Sequence, residues 1–117
     1  MRTALTDLLE IDHPVMCAGM GGVSYHELTA AVSEAGGIGC LGASTMSFER
    51  MLEEMARTAE RTSKPWGVDL LTALPGDMER QVHAIVDAGA KLFVAGLGIP
   101  RDVIDVCHRN GVVVASM

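Results

Sequence analysis

The stretch Pro14-Val15-Met16-Cys17-Ala18-Gly19-Met20-Gly21-Gly22-Val23-Ser24 carries the clearest structural pattern of the sequence. It begins with a short apolar run that does not alternate with polar residues, which is typical of a strand buried on both faces of a parallel sheet. The glycines that follow form a turn, and Ser24 with Glu27 three residues later fits a capping box at the start of a helix. The stretch therefore predicts a strand, a tight turn and a helix in direct succession.

The same order of strand, turn and helix recurs along the rest of the chain. Four further apolar runs are predicted strands, at residues 38–41, 66–70, 91–95 and 112–115. Apolar residues at helical spacing predict helices between these strands. The predicted helix starts are Ser24, Ser47, the segment Pro75-Gly76-Asp77, and Pro100. The apolar face of the helix after Ser24 is predicted to consist of Leu28, Ala31, Val32 and Ala35, and that of the next helix of Phe48, Met51, Leu52, Met55 and Ala59.

Strands that alternate with helices predict βαβ units and a parallel sheet. Five strands in 117 residues give about 23 residues per unit, and eight such units would need roughly 200 residues, within the range of a (β/α)8 barrel. An open doubly wound sheet would fit the length as it stands, but it would normally end on a helix, whereas this sequence ends on an apolar strand. The predicted fold class is therefore α/β, the N-terminal part of a TIM barrel with about five β/α units, and residues 1–117 form a single domain.

Composition limits the classes of function. The net charge is −6 and aromatic residues are scarce, so we expect no nucleic-acid partner, because both a basic footprint and stacking platforms are missing. No apolar run approaches a membrane span, and residues 1–12 do not resemble a secretory signal, so a cytoplasmic protein without membrane contact is expected. Cys17, Cys40 and Cys107 lack the spacing of a zinc site. They are expected to be buried thiols, and no metal is predicted.

The turn after the first predicted strand is the strongest candidate for a ligand site. Ligands of parallel α/β folds bind at the carboxyl ends of the strands, where this turn lies. The three glycines around Met20 would let the backbone approach a flat ligand closely. The alternative is that these glycines serve only the tight connection. Neither the dinucleotide fingerprint nor a P-loop is present in the sequence.

The histidines offer one further candidate. His26 lies in the first turn of a predicted helix, near the expected ligand face, so both a substrate contact and a purely structural position are open to it. His13, His83 and His108 are expected to be solvated surface groups.

Residues 14–24, the helix at 27–35, the segment Gly36-Gly37-Ile38-Gly39 and the segment Gly67-Val68-Asp69-Leu70 together resemble the start of the nitronate monooxygenases. The resemblance covers nearly all of this sequence and about the first third to half of a typical family member. It implies a TIM barrel with FMN at its C-terminal face and the oxidation of alkyl nitronates with oxygen. FMN-dependent enoyl-ACP reductases share the same opening pattern, and barrels similar to IMP dehydrogenase are more distant relatives.

The resemblance also implies the roles of particular residues. Ala18, Gly19, Met20 and Gly21 match the turn whose backbone lies against the flavin ring. Asp69 matches a position where the family usually has a flavin-bonding asparagine, and a carboxylate can accept a hydrogen bond but not donate one. Proline is common in the family where this sequence has Gly19. The family's catalytic histidine motif and its phosphate-binding loops match nothing here, so no catalytic residue is predicted.

Three hypotheses follow. The first is a flavin oxidoreductase of the nitronate monooxygenase type, here as an N-terminal fragment that binds FMN weakly and is inactive alone, with a nitronate or nitroalkane as its small-molecule substrate. The second keeps the barrel and the flavin but performs NAD(P)H-dependent enoyl reduction. The third is a non-catalytic α/β module that associates with another chain through its last strand. Oligomerisation is possible in each case.

Overall fold

The computed structural model describes residues 1–72, 77–98 and 101–117. Helices and strands alternate along these residues. In chain order they are α1 (Ala4–Leu9), β1 (Met16–Cys17), α2 (His26–Glu34), β2 (Ile38–Gly42), α3 (Phe48–Arg61), β3 (Trp66–Leu71), α4 (Met78–Ala88), β4 (Leu92–Gly96), α5 (Arg101–Arg109) and β5 (Val113–Ser116). The helix starts predicted at Pro75, Gly76 and Pro100 lie outside the described residues.

The five strands form one parallel sheet in the order β1-β2-β3-β4-β5. Each strand therefore pairs with the strands that precede and follow it in the sequence. A doubly wound sheet would instead reverse its strand order at a switch point, and the described strands contain no such reversal. The fold is a half-barrel with the topology of the N-terminal part of a TIM barrel, which confirms the predicted fold class.

The two faces of the sheet bury different clusters. On the outer face, side chains such as Leu41, Val68 and Phe93 pack against the helices. On the inner face, Ile38, Cys40, Leu92 and Val94 pack with Leu9 and Ile11, which are contributed by α1 and the residues that follow it. Burial raises the pKa of the Cys40 thiol to about 12, so this cysteine is an inert core residue, as predicted. None of the helices in the described ranges is long and apolar enough to cross a bilayer.

The predicted boundaries hold for the strands that follow β1. The strands β2 and β3 each extend one residue beyond their predicted ends, and β4 and β5 are displaced by one residue along the chain. Gly89 and Gly111 end α4 and α5 with φ angles of 88° and 73°, in the left-handed region that suits glycine. Ser47 caps α3, since its hydroxyl accepts the Arg50 backbone N–H at 3.1 Å.

The prediction of a fully buried first strand is wrong. β1 contains only two residues, and the side chains of Val15 and Met16 are 59% and 44% exposed. The physical reason is that β1 lies at the edge of the sheet and pairs with β2 alone among the described strands. Its apolar composition matches that of a central strand, but its burial depends on what lies beside it.

The predicted apolar face of α2 is also wrong. Its buried residues are instead mostly small or polar: His26, Thr29, Ala30 and Ser33. The cause is Gly39 in β2, where an added Cβ would lie 2.2 Å from the Thr29 carbonyl oxygen. Because the helix backbone approaches the strand this closely, only small side chains fit between them. The Ser33 hydroxyl accepts the Gly39 N–H at 3.1 Å and so satisfies a buried donor.

Candidate functional site

A cavity of about 180 Å³ opens at the carboxyl ends of the strands. It is lined by Gly19, Gly21, Gly42, Ser44, Thr45, Asp69, Leu71 and Met117. In the described part of the chain, larger grooves of about 590, 530 and 290 Å³ lie on the outer surface between α4 and α5, between α3 and α4, and between α2 and α3. We take the smaller cavity as the candidate site because ligands of this architecture bind at the carboxyl ends of the strands. Pockets for whole cofactors usually measure about 300–1000 Å³, so this cavity would receive one part of such a molecule.

The turn after β1 lies directly on the ends of β2 and β3. A Cβ added to Gly19 would be 2.4 Å from the Cβ of Asp69, and one added to Gly42 would be 2.4 Å from the Met20 carbonyl oxygen. Real side chains cannot approach so closely, so both positions need glycine for packing. The consequence is that the backbone of residues 18–21 forms one wall of the cavity.

Ser24 holds this turn together. Its hydroxyl accepts the Met20 N–H at 3.0 Å and donates to the Ala18 carbonyl at 3.2 Å. Its own carbonyl accepts the Gly42 N–H at 3.0 Å. The predicted capping box is therefore wrong: the N-cap of α2 is Tyr25, which makes no side-chain capping bond. The Ser24 hydroxyl has better-placed partners inside the turn than at the helix end.

The turn also contains backbone donors that have no protein partner among the described residues. The Val23 and Ser24 N–H groups both donate to the Met20 carbonyl, at 3.1 and 2.9 Å. Within the described part of the chain, the N–H groups of Gly19 and Gly21 have no protein acceptor. A ligand with acceptor atoms along one edge could therefore be held by these donors.

Asp69 supplies an acceptor to the same cavity. Its side chain is only 5% exposed, and across residues 1–72, 77–98 and 101–117 no group donates a hydrogen bond to its carboxylate. Burial raises the pKa of Asp69 above its ordinary value, because removal from water disfavours the charged form. A carboxylate accepts hydrogen bonds, so a ligand with an N–H group could bind Asp69 where its side chain meets the cavity.

The structure thus gathers the predicted site residues in one place. Gly19, Gly21 and Asp69 line the cavity, while Ala18 and Met20 shape the turn through their backbone atoms. The Met20 side chain is 43% exposed. A glycine cradle, free N–H donors and a buried acceptor fit one edge of a flat heteroaromatic ring such as that of FMN. Binding of the cofactor by these residues remains a prediction.

The histidines are placed elsewhere. His26 is buried between α2 and α3, where its ring contacts Glu54 and Glu27. This geometry fits a purely structural position for His26 and not a substrate contact. His13, His83 and His108 are exposed, as expected. Neither the role of Ser24 nor the burial of Glu54 was predicted from the sequence.

Replacing Ser24 with alanine is expected to lower the free energy of unfolding by about 1 kcal/mol, because the Met20 N–H and the Ala18 carbonyl lose their partner. Amide exchange at Met20 should become faster at the same time. Urea denaturation and hydrogen exchange measure the two effects. Ser47→Ala, which removes the cap of α3, is the matched control: it should cost a similar amount but leave Met20 exchange unchanged. Unchanged exchange in Ser24→Ala would contradict the role assigned to this hydroxyl.

Comparisons with known proteins agree with this geometry. The family model described as nitronate monooxygenase matches residues 2–117. A probable nitronate monooxygenase of Staphylococcus saprophyticus is 39% identical over 114 residues, which cover 94% of this chain and 31% of that protein. A relative from Rhodococcus jostii is 32% identical over 114 residues, covering 97% of this chain and 32% of that protein; it is named (3aS,4S,5R,7aS)-5-hydroxy-7a-methyl-1-oxo-octahydro-1H-indene-4-carboxyl-CoA dehydrogenase. The chain spans about a third of the length of these curated relatives.

Solved structures show the same architecture. FabK from Thermotoga maritima superposes with a TM-score of 0.92 at 33% identity, over 99% of this chain and 37% of that one. A nitroalkane oxidase from Streptomyces ansochromogenes superposes with a TM-score of 0.85 at 26% identity, over 97% of this chain and 42% of that one. Since the family model extends over almost every residue, this chain belongs to the nitronate monooxygenase family, which is a family of oxidoreductases.

Proposed function

We propose that this chain forms the ring-binding part of the FMN site in an oxidoreductase that oxidises alkyl nitronates with oxygen. Family membership and the similarity to a nitroalkane oxidase support the reaction. The observation that carries the cofactor assignment is the cavity in which the buried acceptor Asp69 faces a turn with free N–H groups at Gly19 and Gly21. In this proposal, residues 1–117 are one domain that supplies part of an FMN-binding barrel.

The role of these residues is to bind and orient the ring. When bound, the flavin would supply the electron transfer between nitronate and oxygen. The backbone of residues 18–21 would lie along the ring, and the Gly19 and Gly21 N–H groups would donate to its acceptor atoms. Asp69, which lies directly against Gly19, would accept a ring N–H. The close contact of the turn with β2 and β3 would keep water out of this side of the site.

The rest of the site lies outside the residues assigned here. In the described part of the chain we find no counterpart of the family's catalytic histidine motif or of its phosphate-binding loops. We therefore expect these 117 residues on their own to bind FMN weakly and to lack activity. Nanomolar affinity of the isolated 117-residue chain for FMN, measured by fluorescence titration, would contradict this expectation.

A second candidate function is the dehydrogenation or reduction of an acyl thioester with a nicotinamide cofactor. The observation that favours it is that two relatives, each 32% identical, are named as dehydrogenases of a carboxyl-CoA compound. The flavin cavity would serve either reaction equally, because the ring is held in the same way. The two candidates differ in the electron acceptor and the substrate.

The full-length protein, isolated from its source with its cofactor retained, distinguishes these candidates. Bound FMN together with oxygen uptake on addition of an alkyl nitronate would support the first. Bound FMN together with NAD(P)H-dependent conversion of a CoA or acyl-carrier-protein thioester, without nitronate-dependent oxygen uptake, would support the second. A native mass near 12 kDa without flavin would overturn both and favour the non-catalytic association module.

A further inference from the structure

A buried cluster of charged groups joins α2 to α3 beside the turn at residues 18–24. The Glu54 side chain is 0% exposed and His26 is 6% exposed. One carboxylate oxygen of Glu54 accepts the His26 backbone N–H at 2.9 Å and lies 2.5 Å from Nδ1 of the His26 ring. The other oxygen accepts Nε of Arg50 at 2.9 Å. We propose that Glu54 is a positioning residue for the proposed cofactor, which holds the turn at residues 18–24 in the shape that receives the flavin ring.

Burying the Glu54 carboxylate costs free energy, so packing alone does not explain a glutamate at this position. It lies on the inward side of α3 between Met51 and Met55, where an apolar side chain would normally suffice. Replacing buried ionic groups with apolar ones is often neutral or stabilising. Burial alone would raise the pKa of Glu54, but hydrogen bonds from His26 and Arg50 bring it below its ordinary value. The carboxylate is therefore charged and fully partnered at neutral pH.

Glu54 replaces the missing cap of α2. The first N–H groups of a helix have no partner within it and need an external acceptor. Tyr25, at the N-cap position, provides no side-chain bond. The Glu54 carboxylate reaches across from α3 and accepts the N–H of His26, the first residue of α2. Its negative charge at this helix end is also favourable in the field of the helix dipole.

The contacts of Glu54 extend through neighbouring residues to the turn that forms one wall of the cavity. Arg50, bound to Glu54, places its guanidinium carbon 5.1 Å from the centre of the Tyr25 ring. Tyr25 and His26 are thus both fixed by α3, and Ser24 precedes them directly. Because Ser24 bonds Ala18 and Met20, α3 helps to hold the turn in place, together with the contacts that the turn makes with β2 and β3. Loss of the Glu54 carboxylate would release the end of the turn that leads into α2.

The test is Glu54→Gln in the full-length protein. Its matched control is Glu53→Gln, because Glu53 is the neighbouring residue of the same helix and forms only an exposed ion pair with Arg57. We expect Glu54→Gln to accelerate amide exchange at Met20, Val23 and Ser24 in the flavin-free protein, with no change in β3 and β4. We also expect the dissociation constant for FMN to rise about tenfold, which corresponds to about 1.4 kcal/mol of binding free energy, and the visible absorption bands of bound flavin to shift. Glu53→Gln should behave as the wild type.

The inference rests on the proposed flavin site. The experiment distinguishes failure of the positioning role from failure of the proposed function. Flavin affinity that is unchanged in Glu54→Gln would overturn the positioning role while the proposed function stands. A wild-type protein that binds no flavin would overturn the proposed function. In that case, faster amide exchange in Glu54→Gln that is confined to the turn would still support the stabilisation of the turn by Glu54. If Glu54→Gln does not fold, Glu54→Asp keeps the charge but shortens the side chain by one methylene, which removes the bond to the His26 backbone N–H. It should give the same changes in exchange and affinity, and wild-type values for both would overturn the proposal.

Discussion

Replacing Gly39 with alanine is expected to lower the free energy of unfolding by about 3 kcal/mol. The added Cβ would lie 2.2 Å from the carbonyl oxygen and 2.7 Å from the Cα of Thr29. Both are backbone atoms of α2, so the clash cannot be relieved by a change of rotamer. The helix must move away from β2, and the bond from the Gly39 N–H to Ser33 would be lost with it. Urea denaturation of the variant and the wild type measures the difference.

Gly96→Ala is the matched control for this prediction. Gly96 is also a buried strand glycine, but the nearest atom to its added Cβ is Cδ2 of Leu71, at 2.7 Å. This atom is the free end of a flexible and partly exposed side chain, so it can move aside. We expect a change within about 1 kcal/mol, since the entropic effect of replacing glycine is similar at both positions. Equal losses in the two variants would show that the close contact between α2 and β2 is not what requires Gly39.

Replacing Asp69 with asparagine is expected to raise the free energy of unfolding of the flavin-free protein by about 1 kcal/mol at pH 7, because the neutral amide avoids the cost of removing a charge from water. Burial raises the pKa of Asp69 in the folded chain. As the pH rises from the unfolded value of about 4 through the raised folded value, the unfolded chain loses its proton first, so the folded state loses stability. The gain from asparagine should therefore shrink towards zero below about pH 4. Denaturation at pH 4 and pH 7 measures both values.

Asp105→Asn serves as the control for Asp69→Asn. Asp105 is an exposed carboxyl of α5, and its replacement should change stability by less than about 0.5 kcal/mol at either pH. Saturation with FMN gives a second check, since a ring N–H donated to Asp69 would offset the cost of its charge and reduce the advantage of asparagine. A gain at pH 4 as large as that at pH 7 would contradict the assignment of the effect to the charge of Asp69.

The central strands were predictable because strands buried on both faces consist of consecutive apolar residues. β2, β3 and β4 are apolar throughout, apart from glycines and Asp69, and their bounds were predicted to within one residue. β1 has a similar composition, but it lies at an edge and is largely exposed. The composition of a strand does not show which strands lie beside it, so the sequence pattern could not distinguish an edge strand from a central strand.

The inward face of α2 could not be predicted from apolar spacing. Thr29 and Ser33 are buried there because Gly39 brings the strand close, and such proximity is a property of two segments that are not adjacent in sequence. The buried Glu54 was not predicted, because charged side chains are almost never fully buried unless they are paired. Its position between Met51 and Met55, three residues from the first and adjacent to the second, was the available signal.

The candidate site was predictable in part. The turn was identified from its glycines at the carboxyl end of the first strand, Asp69 came from the resemblance to a family, and the structure brings them to one cavity. The hydrogen bonds that hold the turn were not predictable, because the spacing of Ser24 and Glu27 indicates a capping box instead. Only the geometry shows that its hydroxyl bonds Ala18 and Met20 rather than the end of the helix.

The sequential strand order has a consequence for how the chain acquires its structure. Met16 pairs with Ile38 and Leu92 pairs with Val113, so partners in neighbouring strands are only 22 and 21 residues apart. Short separations of this kind keep the entropy of loop closure low and favour rapid folding. Each unit can dock on the one made before it as the polypeptide leaves the ribosome, where synthesis proceeds at about 5–20 residues per second. The sheet would then grow from β1 towards β5 in the direction of translation, with one exposed growing edge at every stage.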